Sequence, residues 1–234
     1  MKILPQERMK YSHYPKIVVY QAVYYYLRYA LSYRDIEEIL QDRGIEVDHS
    51  TVHDWVIQYT KIFAKHIHKK KNKVGKSWRM DETYIKVKGK WKYLYRAVDK
   101  DGNTIDFLLA AHRDTKAALR FFKRAIKNNG MPTTITIDGS HSNKAAIESI
   151  NKDLEARGET KITIRQIKYL NNIVEQDHRG IKRIYKPTLG FKNFHTAHNT
   201  LRGIAIVRMI KKNQFADDNA TDKTPFETFC RIAA

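Results

Sequence analysis

Cysteine is nearly missing from this chain: Cys230 stands alone among 234 residues. One thiol excludes an intramolecular disulfide and any thiolate-rich zinc site. Long hydrophobic runs are also missing. No stretch reaches the roughly eighteen apolar residues a membrane helix needs, and Lys or Arg breaks the longest ones. The first residues, Met1 to Lys16, are polar and carry Pro5 and Pro15, so no signal-peptide pattern is visible. These absences lead us to expect a soluble, cytoplasmic protein. The third shortage is of acids, with 25 Asp plus Glu against 44 Lys plus Arg and a formal net charge of +19. So positive a surface attracts polyanions, because every neutralised phosphate releases condensed counterions. Nucleic acid is therefore the leading partner, and without a membrane segment the anionic bilayer is a weaker one. A hydrophobic share of 42% still supplies an ordinary globular core.

What is present divides into zones. From about Tyr14 to Ala64 the apolar residues follow a helical period. Val18, Val19, Ala22, Val23, Tyr26 and Leu27 share a face, and Ser32 is placed to cap a helix from Tyr33 to Arg43 that Gly44 ends. After a turn, Ser50 can cap a helix carrying Val52, Trp55, Val56, Tyr59 and Phe63. Two helices joined in this way resemble a helix-turn-helix, whose second member would enter the major groove. Its candidate DNA-contacting residues include Ser50, Thr51, His53 and Gln58. The bland alternative is a helical bundle with no nucleic-acid role, and the charge balance favours DNA. Residues 1–64 are thus the expected DNA-binding region. A basic linker, 65–77, follows, and its Lys69, Lys70 and Lys71 would meet phosphates without sequence preference.

Beyond Trp78 the period changes. Met80 to Val87, Trp91 to Arg96 and Thr104 to Leu109 read as three strands, with turns at Lys88-Gly89-Lys90 and Asp101-Gly102-Asn103. A helix from Thr115 to Asn128 comes next, then a strand at Thr133–Ile137 and a helix near Asn143–Ala156. A strand at Ile162–Ile167, a helix opening near Asn171 and a last helix from Thr196 to Lys212 complete the series. This order predicts a mixed α/β domain over 78–213, with a five-stranded sheet flanked by helices and a tail at 214–234. It is the succession expected of a ribonuclease H-like fold.

Three acids stand out by position. Asp81 lies inside the first strand, where burying an unpaired carboxylate is costly. Asp138 ends the fourth strand, and Gly139 turns the chain just after it, at the strand edge where open α/β sheets collect ligands. Glu175 sits on a later helix able to cover both. Singly, each has a dull explanation as a turn former or a solvated charge. Jointly, they form a cluster that needs counter-charge, and hard oxygen ligands select Mg2+, with Mn2+ as a substitute. Two such ions would suit phosphodiester cleavage and joining. Arg179 and Lys182 lie one and two turns beyond Glu175 on its face, and Arg183 extends the basic group. His178, beside Glu175, is a candidate to touch DNA or to orient the carboxylate.

At these residues the sequence resembles the compact bacterial DDE transposases of insertion-sequence family six. The resemblance is carried by Tyr24-Tyr25-Tyr26-Leu27-Arg28-Tyr29, Leu31 to Ile36 and His49-Ser50-Thr51-Val52 with Trp55-Val56. The longest matching stretches are Trp78 to Trp91 and Lys168 to Arg179. It implies a ribonuclease H-like core with Asp81, Asp138 and Glu175 as the acids and Lys182 as the family's basic residue. It also implies magnesium dependence, a homodimer or larger assembly, terminal inverted repeats as the DNA bound, and replicative transposition. The segment Asp138 to Asn143 departs from the Ala-Pro loop common in similar proteins.

The expected function is thus DNA strand cleavage and transfer. A catalytically inactive, DNA-binding regulator derived from such a transposase is the competing reading, and intact Asp81, Asp138 and Glu175 argue against it. A non-specific nuclease of the same fold is a third, against which the N-terminal helices speak. His49, His53, His66 and His68 lack a metal-site pattern and read as surface or DNA-facing histidines.

Overall fold

The structure is a computed structural model that describes residues 14–188, 190–215 and 223–233, excluding the side chains at 64–70, 168, 188 and 233. The first thirteen residues of the expected N-terminal region and 216–222 of the expected tail therefore lie outside it, as do the side chains of Lys69 and Lys70. Packing divides the chain into two units, residues 1–71 with 183–234, and 72–182.

The first unit is helical: α1 (Lys16–Arg28), α2 (Tyr33–Gln41), α3 (His49–Lys70), α7 (Phe194–Lys211) and α8 (Pro225–Ala233). Ser32 forms a full capping box with Asp35, satisfying backbone N–H groups at the start of α2. Gly44, at φ +73°, then lets the chain leave α2 in the left-handed region. At α3 the cap is Asp48, not Ser50. Its carboxylate accepts the Ser50 N–H at 2.6 Å, so the helix opens at His49. The apolar faces read from the sequence meet here, with Val23, Leu27, Ile36, Leu40, Trp55, Val56 and Phe63 all buried.

Two expected placements change. The last long helix, α7, packs against α1 and α3 rather than closing the sheet domain. Gly203 makes that close approach possible, because a Cβ there would lie 2.6 Å from a Leu27 methyl and 3.0 Å from the Thr60 hydroxyl. The expected linker at 65–77 also shortens, since α3 continues to Lys70. Nothing between Ala64 and Lys70 breaks a helix, and Ala and Lys both favour one. In addition, α8 rises from the tail and sets Phe229 against Phe63 (4.5 Å between ring centres) and Tyr24 (5.2 Å).

The second unit contains β1 (Ser77–Val87), β2 (Lys90–Asp99), β3 (Thr104–Ala110), α4 (Thr115–Asn129), β4 (Thr134–Ile137), α5 (His141–Glu155) and β5 (Thr163–Gln166). A 3-10 turn at Lys168–Asn171 leads into α6 (Asn172–Tyr185), most of which belongs to this unit. The strands form one sheet in the order β3-β2-β1-β4-β5. β1, β2 and β3 are antiparallel, and β4 and β5 are added in parallel. The β1–β2 hairpin turns on Lys88 (φ 49°) and Gly89 (φ 72°), two left-handed residues whose twist suits paired strands.

Strand alternation gives the sheet two distinct faces. Trp78 and Met80 of β1, Tyr95 and Ala97 of β2 and Ile135 and Ile137 of β4 join Phe121, Phe122, Ala146 and Ile147 of α4 and α5 in one apolar core. Asp81 and Arg96, cross-strand partners, lie on the other face, which α6 covers.

Candidate active site

The register of the parallel pair brings the first two acids together. Ser77, Trp78 and Arg79 of β1 face Thr134, Ile135 and Thr136 of β4. Continuing that register by two residues sets Asp81 beside Asp138. Because β4 stops at Ile137, β1 has no strand neighbour on its β4 side at this point, and the opening admits side chains from both faces. Glu82 uses it: ligand oxygens of Asp81, Glu82 and Asp138 all lie within 4.8 Å of one another. Alternation alone assigns Glu82 to the opposite face, so strand period does not lead to its neighbourhood with Asp81 and Asp138.

The three acids differ in their engagement. Glu82 is nearly buried and held twice, by an ion pair from Arg113 Nε and by Asn143 Nδ2 at 2.8 Å. Asp138 accepts the Ser140 N–H at 3.0 Å and lies 3.8 Å from Arg113 Nη2. Asp81 is mostly buried, and its carboxyl is pushed up to about 7, first by desolvation and then by Glu82, Asp138 and Glu175. A carboxyl so destabilised as an anion favours a nearby cation. An open cleft of about 450 Å³ adjoins Asp138 and is lined by Arg113, Gly139, Ser140, His141 and Ser142.

Glu175 approaches from α6, where it is exposed. Three contacts seat this helix. Asn171 Nδ2, just before it, donates to the Met80 carbonyl at 3.3 Å. Arg96 of β2, fully buried, pairs through Nε with Asp177 and donates from Nη2 to Thr104 Oγ1 at 2.9 Å. His178, one helical turn from Glu175, has Nε2 3.5 Å from an Asp81 oxygen. Its imidazole is driven down to about 3, mainly by desolvation and then by Arg96, so it is neutral at pH 7. His178 is 4% exposed and lies against Asp81, the placement expected of a residue that orients the carboxylate rather than one that touches DNA. Neither ring nitrogen has a hydrogen-bond partner among the described residues. The basic residues of α6 remain accessible, Arg179 and Arg183 exposed and Lys182 half-buried.

A family model described as a DDE domain matches residues 75–214 of this chain. The transposase of insertion sequence IS257 in transposon Tn4003 of Staphylococcus aureus is 47% identical over 206 residues, covering 88% of this chain and 89% of that protein. The chain belongs to the DDE transposases of insertion-sequence family six. The transposase of the IS431mec element from S. aureus strain N315 is similar too, at 46% identity over the same shares. Among solved structures, the dimeric HTLV-2 integrase catalytic core with magnesium aligns with a TM-score of 0.45 and 16% identity, over 68% of this chain and 98% of that one. The BIV integrase catalytic core aligns with a TM-score of 0.41 and 15% identity, over 67% and 95%.

This transposase has the mixed five-stranded sheet flanked by helices that was expected, and it is a DNA-acting enzyme that depends on divalent metal. The family match ends at 214, beyond α6 and through α7, whereas packing assigns α7 to the helical unit. Among the described residues, no helix is long and apolar enough to cross a membrane. In the helical unit Ser50 is exposed, and Thr51, His53 and Gln58 are half-buried on α3. His53 is already engaged there, packing edge-on against Tyr33 (5.2 Å) with Nδ1 3.2 Å from Asp54.

Proposed function

We propose that the enzyme cuts and rejoins DNA at the terminal inverted repeats of an insertion sequence, with Asp81, Asp138 and Glu175 as its metal-holding acids. The observation that supports this most is the convergence of Asp81 and Asp138 at the open end of β4, on a sheet whose α6 face also carries Glu175. Glu82 is a poor substitute for Glu175, because Arg113 and Asn143 already occupy its oxygens. The donor set is all carboxylate, which suits Mg2+, or Mn2+ in its place. When bound, such ions lower the charge on the phosphodiester and favour loss of a proton from the attacking hydroxyl or water.

The protein's own groups hold and orient. Arg96 and Asp177 fix α6 on the sheet, which sets the height of Glu175 above Asp81. His178, neutral, presses against Asp81 and limits its rotation. Arg179, Lys182 and Arg183 supply positive charge for phosphates next to Glu175. On α3, Ser50, Thr51, His53 and Gln58 are proposed to read base edges, with Lys69, Lys70 and Lys71 adding phosphate contacts. The working form is a homodimer or larger assembly in the cytoplasm, bound to double-stranded DNA ends and target.

The test is a strand-transfer assay on DNA carrying the cognate ends, with Mg2+ and then with chelator. Asp81→Asn, Asp138→Asn and Glu175→Gln should each lower transfer by about a thousand-fold, several kcal/mol of lost transition-state stabilisation. Binding to the ends should persist. Wild-type rates in Asp81→Asn would end the proposal. Abolition by Glu82→Gln, with Glu175→Gln still active, would make Glu82 the third acid.

A further inference from the structure

Beyond Glu82, the β1–β2 hairpin carries two exposed aromatic rings, Tyr84 and Trp91, beside the half-buried Tyr93. Tyr84 is 47% exposed and Trp91 59% exposed. Tyr84 pairs across the strands with Tyr93, and their ring centres are 5.4 Å apart; Trp91 lies 6.2 Å from Tyr84. These three rings continue the face that holds Trp78, Met80 and Glu82; Tyr93 still packs against the core that α4 and α5 complete, and Tyr84 and Trp91 extend the face into solvent. Lys86, Lys88 and Lys90 are exposed around them, and no acid occurs between Glu82 and Asp99. Ring faces among lysines on a rigid hairpin combine base stacking with phosphate attraction. The platform also joins the acid cluster. Tyr84 lies two residues beyond Glu82 on the same face of β1, and Arg113 links Glu82 to Asp138. At about 3.4 Å per strand residue, Trp91 sits roughly 17 Å along the sheet from Asp81, within reach of one bound strand.

We propose that Tyr84, Trp91 and Tyr93 form a stacking platform for unpaired bases of the DNA strand that passes the acid cluster. Paired DNA would use the lysines alone, because its base faces are covered by neighbouring bases, and it would leave the rings unexplained. Open bases next to the cut offer faces of the size these rings present. The proposal rests on the reading of the acids as a strand-cutting site, and its test is independent of their chemistry.

The experiment measures binding of a fluorescein-labelled oligothymidylate to the full chain in chelator, by anisotropy, so no cleavage is required. Trp91→Ala and Tyr84→Ala should each weaken binding by about ten-fold. Trp91→Phe, which keeps a ring, should stay within about twofold. Oligothymidylate should also quench tryptophan emission in the parent and not in Trp91→Phe, since Trp55 and Trp78 are each only 1% exposed. Parent-like affinity in both alanine variants would overturn the platform. So would sedimentation data in which Trp91→Ala only splits an oligomer and binding falls in step, since the patch would then join copies of the chain. Failure of Asp81→Asn to lose transfer would leave this binding result unchanged, so the two proposals fail separately.

Discussion

The two faces of the sheet bury the same strands in opposite ways. Toward α4 and α5, β1 and β2 present Trp78, Met80, Tyr95 and Ala97, all at most 1% exposed and packed in the apolar core. Toward α6 they present Asp81 and Arg96, and the helix answers with Asp177 and His178, at most 4% exposed. Burial on the first face stabilises at about 25 cal/mol per Å² and is indifferent to direction. On the second face desolvation opposes burial, and only well-aimed pairing offsets it. The apolar face therefore holds the fold together, while the charged face fixes where α6, and with it Glu175, must sit.

Separating those roles needs a variant that restores stability without restoring position. Arg96→Met takes from buried Asp177 its guanidinium counter-charge and should cost about 3–5 kcal/mol in denaturant unfolding. Adding Asp177→Leu removes the remaining charge and should return most of the loss. Strand transfer by the double variant should nevertheless remain about ten-fold low, because hydrocarbon contact does not fix the rotation of α6. Full recovery of both properties would show that the pair has no positioning role.

The sequence made the apolar face readable and the charged face unreadable, for a physical reason. Strand period, turn residues and the Thr115–Asn128 helix follow from local rules, and the structure places β1 to β5 close to their expected bounds. Arg96, in contrast, alternates with Tyr95 and Ala97, so strand period sends it to the face opposite the core, where a charged residue reads as solvated. Its burial depends on Asp177, 81 residues further on, which no local pattern links to it. Glu82 was hidden similarly, because its neighbourhood with Asp138 arises from where β4 ends. For α7, burial nearly all around, from Ala197 to Ile210, leaves no single stripe to indicate its neighbours. The positions of Asp81 and Asp138 were legible because strand interior and strand end are local properties.

The charged face also sets a pH signature in chelator. Asp81 is raised from 3.8 to about 7, so its contribution is intact below about 3.8 and is lost as pH rises toward 7. His178 is lowered from 6.5 to about 3, so its contribution is intact above about 6.5 and is lost as pH falls toward 3. Between about pH 4 and 6.5 the two slopes, each on the order of 1 kcal/mol per pH unit, oppose each other. Removing one partner should uncover the other. Thermal melts of His178→Gln should fall with rising pH across that window, whereas those of Asp81→Asn should rise. Parallel slopes in the two variants would contradict the assigned burial of one group.

The smallest effect tests whether the lock on α6 is the ion pair or its surroundings. Thr104 Oγ1, 1% exposed on β3, accepts from Arg96 Nη2 at 2.9 Å, and Nη1 has no hydrogen-bond partner among the described residues. Thr104→Val keeps shape and strand preference and removes this acceptor. A second guanidinium nitrogen then lacks its partner, at a cost of about 1–2 kcal/mol. Arg96 Nε still holds Asp177, so α6 should keep its place. Strand transfer measured well below the melting temperature should therefore stay within about twofold, even as the denaturant midpoint falls. A loss of transfer as deep as that of the Arg96→Met, Asp177→Leu pair would mean that Thr104 aims the guanidinium. Orientation of Glu175 would then be set from β3, across the width of β2, rather than by the ion pair alone.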